Sequence, residues 1–322
     1  MESAIVCDMM EIQLPVKKIY LGTLLLCLLI SSTGIAEDGR LVGTEKLGDT
    51  RMLAMGGALR ASNSNTSAVY LNPAAMGMAR VYHLNVKYQY TGLDKLHNGG
   101  IVLMDSITHP IFSGGISLDY QRAARKWTDF ESWDGRLATA LNIRDTVFLG
   151  LTARYLRAAQ NVKDDSYGPK LMLQSAFPRN DQVQANGFTL DLGTVVRAGD
   201  IVSLGVVAYN ITNTGTIYAP FQLAGGISAM IKNMWLIESD VIADFGSYSK
   251  TGMELQLGTE LILKEQFSLR GGFDREFHFK VNSYSFGFGY TARRFAVDLG
   301  FKQDIEYLKR VRIGLGFRIF IG

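Results

Sequence analysis

Apolar and polar residues alternate with a period of two through most of the chain after residue 81. A helix would mix the two sets, whereas successive side chains of a strand point to opposite faces. The clearest case runs from Thr251 to Leu263, where one face carries Met253, Leu255, Leu257, Leu261 and Leu263 and the other carries Glu254, Gln256, Gly258 and Glu260. Alternation of this kind predicts half-buried β-strands.

Gly, Asn, Asp and charged residues divide this pattern into fourteen predicted strands. The strands fall near 81–91, 99–107, 113–122, 135–144, 147–158, 185–197, 201–211, 222–231, 235–245, 251–263, 267–275, 283–292, 295–304 and 309–320. Tight turns alternate with longer loops, which are predicted at 123–134, 159–184, 212–221, 246–250 and 276–282. An even strand number, with short turns at one rim and longer loops at the other, is typical of an outer-membrane barrel.

A soluble β-sandwich also shows strand alternation, so the pattern alone leaves both folds open. Two features favour the barrel. The polar face carries charged residues on most strands, which suits a lumen that side chains cannot fill completely. The apolar face carries aromatic residues near strand ends, as expected for interfacial girdles: Tyr90, Tyr120, Trp235, Phe245, Phe267, Phe273, Phe295 and Phe301.

The first 36 residues read as a cleaved signal peptide. Lys17 and Lys18 precede an apolar run from Ile19 to Ile30, and Gly34 and Ala36 are small residues of the kind found at cleavage sites. The long lead before this run leaves open whether translation starts at Met1, Met9 or Met10. We therefore expect export, a location in the outer membrane of a Gram-negative cell, and three regions: 1–36 leader, 37–80 N-terminal segment and 81–322 barrel.

Composition argues against catalysis, metal binding and nucleic-acid binding. Both cysteines, Cys7 and Cys27, lie in the predicted leader, and the net charge is only +3. The four histidines lie in no catalytic or zinc-binding motif, so each reads as a wall or loop residue: His83, His97, His109 and His278. We expect no enzyme activity, cofactor or metal site.

Residues 47–80 form the one long segment after the leader that does not read as a strand. Its first half, Arg51 to Ala61, is rich in Met, Leu and Ala, although Gly56 and Gly57 weaken a helix. The polar run Asn63 to Ser67 follows, and then Pro73 fixes the backbone and keeps Asn72 out of the α region. A segment of this kind at the start of a barrel can satisfy its backbone groups inside the lumen.

This segment resembles the N-terminal hatch of the FadL-like outer-membrane barrels, which include long-chain fatty-acid transporters and the PorV-like proteins of type IX secretion. The resemblance is carried by Met-Gly-Gly-Ala at 55–58, the Ser/Asn run, and Tyr-Leu-Asn-Pro-Ala at 70–74. It implies an all-β transmembrane antiparallel barrel of about fourteen strands with a hatch inside the lumen. Asn72, Pro73 and Ala74 are then the predicted centre of the plug, facing lumenal space left by wall glycines such as Gly287, Gly289, Gly314 and Gly316.

Two functions follow from the two branches of the family, and the hatch motif does not distinguish them. A FadL-like barrel passes hydrophobic small molecules, whereas a PorV-like barrel is a non-enzymatic platform or shuttle for exported proteins. The apolar residues of the predicted outer loops are candidates for capturing a ligand or partner: Trp127, Phe130, Trp133, Leu171, Met172 and Leu173. Outer-membrane lipid and lipopolysaccharide are the other expected partners, the latter through Arg122, Arg125 and Lys126.

Overall fold

The computed structural model describes residues 46–62, 65–78, 80–124, 128–162, 182–212, 215–247 and 250–321. The predicted leader and residues 37–45 of the predicted hatch region lie outside the described residues.

Fourteen antiparallel strands form one closed barrel in which β1 pairs with β14. The strands are β1 Tyr82–Thr91, β2 Leu96–Asp105, β3 Phe112–Ala124, β4 Thr128–Ile143, β5 Val147–Val162, β6 Gln182–Ala198, β7 Val202–Tyr209, β8 Gln222–Ile231, β9 Trp235–Asp244, β10 Gly252–Leu263, β11 Phe267–Glu276, β12 Val281–Thr291, β13 Phe295–Asp304 and β14 Val311–Phe320. Each strand pairs with its sequence neighbours, so the predicted strand number and barrel class are confirmed.

The two faces of the wall are inverted relative to a soluble protein. On β10, Leu257 points outward and is 40% exposed, whereas its neighbour Gln256 points into the lumen and is 1% exposed. Large apolar side chains are exposed on every strand, and most buried side chains of the lumen are polar or charged. An apolar exterior around a polar interior is the arrangement of a transmembrane β-barrel.

The wall is not equally tall around the barrel. Strands β4, β5 and β6 have 16 or 17 residues, whereas β7 has 8. Strand β6 therefore pairs with β7 only between Leu192 and Ala198. At the rim opposite the start of β1, which we call the upper rim, the ends of β3 to β6 project beyond the other strands. Residues 128–134, which the sequence predicted to be a loop, therefore belong to β4. The longer β5 and β6 likewise shorten the predicted 159–184 loop.

The hatch, residues 46–78, lies inside the lumen and is built from short helical pieces. These are helix α1 Thr50–Ala54, a 3₁₀ turn Asn65–Ser67, helix α2 Ala68–Leu71 and a second 3₁₀ turn Pro73–Met78. Asp49 caps α1 by accepting from the Met52 backbone amide, and it also accepts from the Ser67 hydroxyl. Among the described residues, no helix is long and apolar enough to cross a membrane.

A belt of lumen-facing glycines lets the hatch backbone approach the wall. A Cβ on Gly272 would lie 2.2 Å from the Gly56 nitrogen, and one on Gly150 would lie 2.1 Å from the Ala74 nitrogen. Gly205 meets the Arg60 carbonyl in the same way, at 2.3 Å. Such distances exclude any side chain, so these glycines define the space that the hatch occupies.

Candidate functional site

The Asn72, Pro73 and Ala74 motif lies against the walls of β5 and β6. The Asn72 side-chain amide donates to the Arg60 carbonyl at 2.9 Å and to the Thr194 carbonyl at 3.3 Å, and its oxygen accepts from the Ala74 amide at 3.2 Å. Asn72 and Ala74 are fully buried. The motif therefore joins two hatch segments to each other and to the barrel wall.

The glycines that face this motif are not those the sequence suggested. Gly150 faces Pro73 and Ala74, and Gly193 faces Asn72. The predicted Gly287, Gly314 and Gly316 instead contact Thr50, Leu53 or Ala54 of helix α1, and Gly289 lies beside Arg270 and Asp298. Small hatch residues do face glycines of the wall, as the sequence predicted. Which hatch residue faces which glycine differs from the prediction, because the hatch crosses the lumen between α1 and residue 72.

Arg60 is the main polar anchor of the hatch. It is 1% exposed, and its guanidinium donates to Asp240 at 2.9 Å, to Gln256 at 2.7 Å and to the Tyr209 hydroxyl at 2.9 Å. Burial opposes its charge, but Tyr209 and Asp240 outweigh that effect, so the pKa of Arg60 lies above its ordinary value. One hatch cation is thus satisfied by three wall strands, β7, β9 and β10.

A second anchor runs through a chain of alternating charges. Arg51 of the hatch pairs with Glu260 at 2.5 Å, and Glu260 also pairs with Arg270 at 2.6 Å. Arg270 pairs with Asp298, which in turn pairs with Arg318 at 2.9 Å. Because every one of these groups is buried, removing one would leave a neighbour without its partner in a low-dielectric interior.

Tyr70 of helix α2 forms a third anchor, toward β3. Its hydroxyl donates to Asp119 at 2.7 Å, and the Lys87 ammonium, itself paired with Asp119, lies 4.0 Å from the centre of the Tyr70 ring. Burial, together with the Asp119 carboxylate, raises the pKa of the Tyr70 phenol well above its ordinary value. The phenol therefore stays protonated and keeps donating.

An apolar cluster lies inside the projecting upper wall, at the rim opposite the chain's entry. We call it the mouth cluster, and it consists of Leu96, Ala123, Phe130, Leu156, Ala158, Ala185, Tyr218 and Ala219, with Ile217 at its margin. The Phe130 and Tyr218 rings stack at 5.7 Å, so the loop between β7 and β8 folds back against β4. Burial raises the pKa of the Tyr218 phenol.

Open space adjoins this cluster at Gly187 on β6. Gly187 is directly opposite Leu156 in the sheet, and no described residue lies within 4 Å of the position that a Cβ would take. By the alternation of β6 that position faces the lumen, between Ala185 and Thr189. The upper lumen thus offers an apolar surface with room beside it.

A charged layer separates the mouth cluster from the hatch. Along β4 the lumenal residues run from Phe130 through Asp134 and Arg136 to Ala138, and β5 and β6 place Arg154 and Asp191 at the same level. Asp134 pairs with Arg136 at 2.8 Å and with Arg154 at 2.6 Å. Below the layer lies a second apolar cluster, formed by the hatch and the lower wall.

The predicted capture residues separate into three groups. Phe130 lies in β4 and faces the lumen within the mouth cluster. Trp133 faces outward, is 39% exposed and packs at a tilt against Tyr120, with ring centres 4.6 Å apart. Neither belongs to a loop. Trp127, Leu171, Met172, Leu173, Arg125 and Lys126 lie outside the described residues.

The described residues contain no group of three His, Cys, Asp or Glu side chains placed to hold a metal ion. His97, predicted to be a loop residue, lies in β2 and faces outward, where its Nδ1 is 2.6 Å from the Tyr88 hydroxyl. His83 faces the lumen and packs on Phe320, with ring centres 4.6 Å apart.

No family model and no curated protein matches the chain. Solved structures do match over most of its length. The Ralstonia pickettii toluene transporter TbuX is 12% identical with a TM-score of 0.63, covering 86% of this chain and 99% of TbuX. The P. putida toluene transporter TodX is 11% identical with a TM-score of 0.65 and the same coverage.

A Pseudomonas aeruginosa FadL homologue is 13% identical, with a TM-score of 0.57, and the match covers 85% of this chain and 97% of that one. At such identities a likeness establishes the fold alone. The fold of this chain is that of the FadL-like barrels, as the hatch motif predicted.

Proposed function

We propose that this chain is an outer-membrane barrel that admits small hydrophobic molecules through its mouth cluster. The observation that carries the proposal is the apolar surface of that cluster with open space beside it at Gly187. Apolar lining with a few polar groups is typical of small-molecule sites. The similar structures named for toluene transport support the same class of cargo.

The charged layer and the hatch make a route straight down the lumen unfavourable for an apolar molecule. An uncharged apolar molecule that descended from the mouth cluster would have to displace paired buried charges, which costs several kcal/mol by rough estimate. The sideways route is less demanding, because β6 has no β7 partner above Leu192 and meets the 210–221 loop instead. There the Ile211 amide donates to the Leu190 carbonyl at 2.8 Å. We therefore place the exit at this seam.

The test fills the open space without removing any existing contact. Gly187→Trp places an indole in the lumen beside Leu156, and Gly135→Trp is its matched control, since Gly135 faces outward with nothing within 4 Å of its Cβ position. We would measure uptake of radiolabelled toluene and of a long-chain fatty acid by cells that lack other transporters of this class.

Wild type and Gly135→Trp should raise uptake of at least one of the two compounds above that of empty cells, and Gly187→Trp should abolish the increase. Failure of wild type to raise uptake of either compound would refute the transport function. Equal uptake by wild type and Gly187→Trp would show that molecules pass elsewhere. The comparisons give no support to the alternative of a secretion platform.

A further inference from the structure

We propose that the outer wall over β14, β1 and β2 carries a binding site for a phosphorylated glycolipid of the outer leaflet, lipid A. The site combines an apolar groove with a crown of three cations at its upper end, Lys95, Arg122 and Lys309. It lies on the opposite side of the wall from the mouth cluster. The proposal rests on the proposed outer-membrane function, with both termini in the periplasm, so that the rim with the longer loops, opposite the chain's entry, faces the outside.

The groove has a volume of about 390 Å³ and is lined by Tyr88, Tyr90, His97, Ile313 and Leu315. These side chains occupy two neighbouring outward rows on three adjacent strands. Tyr90 lies between His97 and Ile313, and Tyr88 lies between Leu315 and Gly99. Gly99 is the sixth position of this block and has no side chain, and no residue in the described part of the chain lies within 4 Å of its Cβ position. The missing side chain leaves space beside Tyr88 in which an acyl chain could lie.

Two of the cations, Lys95 and Lys309, lie on neighbouring connections at the upper rim, which an ion pair and a backbone hydrogen bond hold together. Asp94, next to Lys95, pairs with Arg310, next to Lys309, at 2.9 Å. The Gly92 amide also donates to the Val311 carbonyl at 2.8 Å. The β1–β2 turn and the β13–β14 loop are thus fastened together directly above the groove, and both lysines are exposed there.

The third cation comes from β3. Arg122 is the direct cross-strand partner of His97, and its side chain is exposed on the outer face. Within the described residues, Lys95, Arg122 and Lys309 form no ion pair. The acidic residue opposite Arg122 is Glu131, whose carboxylate accepts from the Trp133 indole at 3.3 Å. Three free cations above an apolar groove match a lipid that has several acyl chains and phosphates on its sugar headgroup.

Neither half of the site alone would select this lipid. An apolar groove by itself accepts any acyl chain of the bilayer, and exposed cations by themselves attract any anionic surface. A glycolipid with two phosphates engages both at once, whereas phosphatidylglycerol brings one phosphate and phosphatidylethanolamine has no net charge. The expected order of retention is therefore lipid A first, phosphatidylglycerol second and phosphatidylethanolamine last.

The experiment is native mass spectrometry of the purified barrel in detergent, titrated with lipid A, phosphatidylglycerol or phosphatidylethanolamine. Neutralising the crown by K95Q, R122Q and K309Q together should weaken lipid A binding about a hundredfold, as three surface cations near an anionic headgroup would contribute. Gly99→Leu should weaken it by filling the groove. Gly114→Leu is the control, because Gly114 also faces outward with open space at its Cβ position but lies near the other rim.

Lipid A that stays bound equally to wild type, the triple variant and Gly99→Leu would overturn the site. Equal retention of phosphatidylglycerol would show general anion attraction and would also overturn it. Heat-modifiable gel migration of each variant shows whether the barrel has folded. Toluene uptake by the triple variant should equal that of wild type, so failure of the lipid site and failure of the transport proposal are separate results.

Discussion

Replacing one glycine of the lumenal belt should loosen the hatch while leaving the wall intact. In Gly272→Ala the new Cβ would lie 2.2 Å from the Gly56 nitrogen and 2.4 Å from the Met55 carbonyl carbon. Restoring an ordinary contact distance requires the hatch backbone to move by roughly 1 Å. Overpacking of this kind costs about 1–3 kcal/mol. The hatch cannot move closer to the wall at this point, because Gly56 itself lies against the backbones of β10 and β11.

The neighbouring residue provides the control. Gly271 faces outward, and its Cβ would meet only the Thr259 methyl group at 3.7 Å, which is ordinary contact. Gly271→Ala should therefore change stability by no more than about 0.5 kcal/mol. The free energy of unfolding would be measured by urea titration in phospholipid vesicles, followed by tryptophan fluorescence, and ion conductance would be measured in planar bilayers.

Gly272→Ala should lower the unfolding free energy and raise conductance above that of Gly271→Ala. Equal stability and equal conductance of the two variants would refute the claim that the lumenal glycines hold the hatch in position. A loss of stability without added conductance would show that the hatch absorbs the extra carbon and stays in place. Heat-modifiable migration of both variants would confirm that any difference arises inside a closed barrel.

Three further substitutions or deletions test the anchors, the wall and the plug. Arg60→Met should cost about 3–5 kcal/mol in the same titration, because it leaves the Asp240 carboxylate buried without its cation; a loss below 1 kcal/mol would contradict this role. Leu257→Arg should cost about 2–4 kcal/mol at mid-depth, and Met253→Arg, on the same face near the strand end, about 0–1 kcal/mol; the reverse order would invert the depth assignment. A barrel lacking residues 49–76 should still insert but conduct ions and admit bulky antibiotics, unless the hatch is not the plug.

The sequence predicted the wall well because each strand reports its own orientation. Alternation identified Leu257 as outward and Gln256 as lumenal without any knowledge of neighbouring strands. It failed at residues 128–134, because the run Asp-Phe-Glu-Ser-Trp-Asp places its two aromatic residues three positions apart, which breaks the period of two, and is otherwise polar. That stretch projects above the rim, so its outward residues need not be apolar.

For the lumen, the sequence predicted which residues face inward but not which of them contact each other. Alternation places Asp240, Glu260 and Arg270 in the lumen, and Glu260 and Arg270 meet there as direct cross-strand partners. It does not say that Asp240 and Glu260 also meet arginines of the hatch, because the path of the hatch is not written in the strand pattern. Arg60 lies in the Met-, Leu- and Ala-rich half of the hatch, and its sequence neighbours do not indicate which wall residues it meets. The alternation likewise places Gln256 in the lumen but does not show that it accepts from the Arg60 guanidinium at 2.7 Å, where a second cation would be repelled.

The mouth cluster and the hatch are separate parts of the lumen, so a ligand at the mouth need not disturb the contacts that hold the hatch. Glycines at the wall and buried ion pairs at Arg51 and Arg60 hold the hatch inside the lumen. The mouth cluster lies above that seal and depends on none of these contacts, because the charged layer around Asp134 stands between them. Under the proposed function, an apolar molecule would bind at the mouth and leave where β6 lacks a β7 partner while the hatch stays in place. Transport should therefore continue when the hatch is covalently tied to the wall, for example by a disulfide in the Thr50→Cys, Gly316→Cys double variant, whose Cβ atoms would lie 3.4 Å apart. Loss of uptake in the tied barrel, restored by reduction, would show instead that the hatch must move.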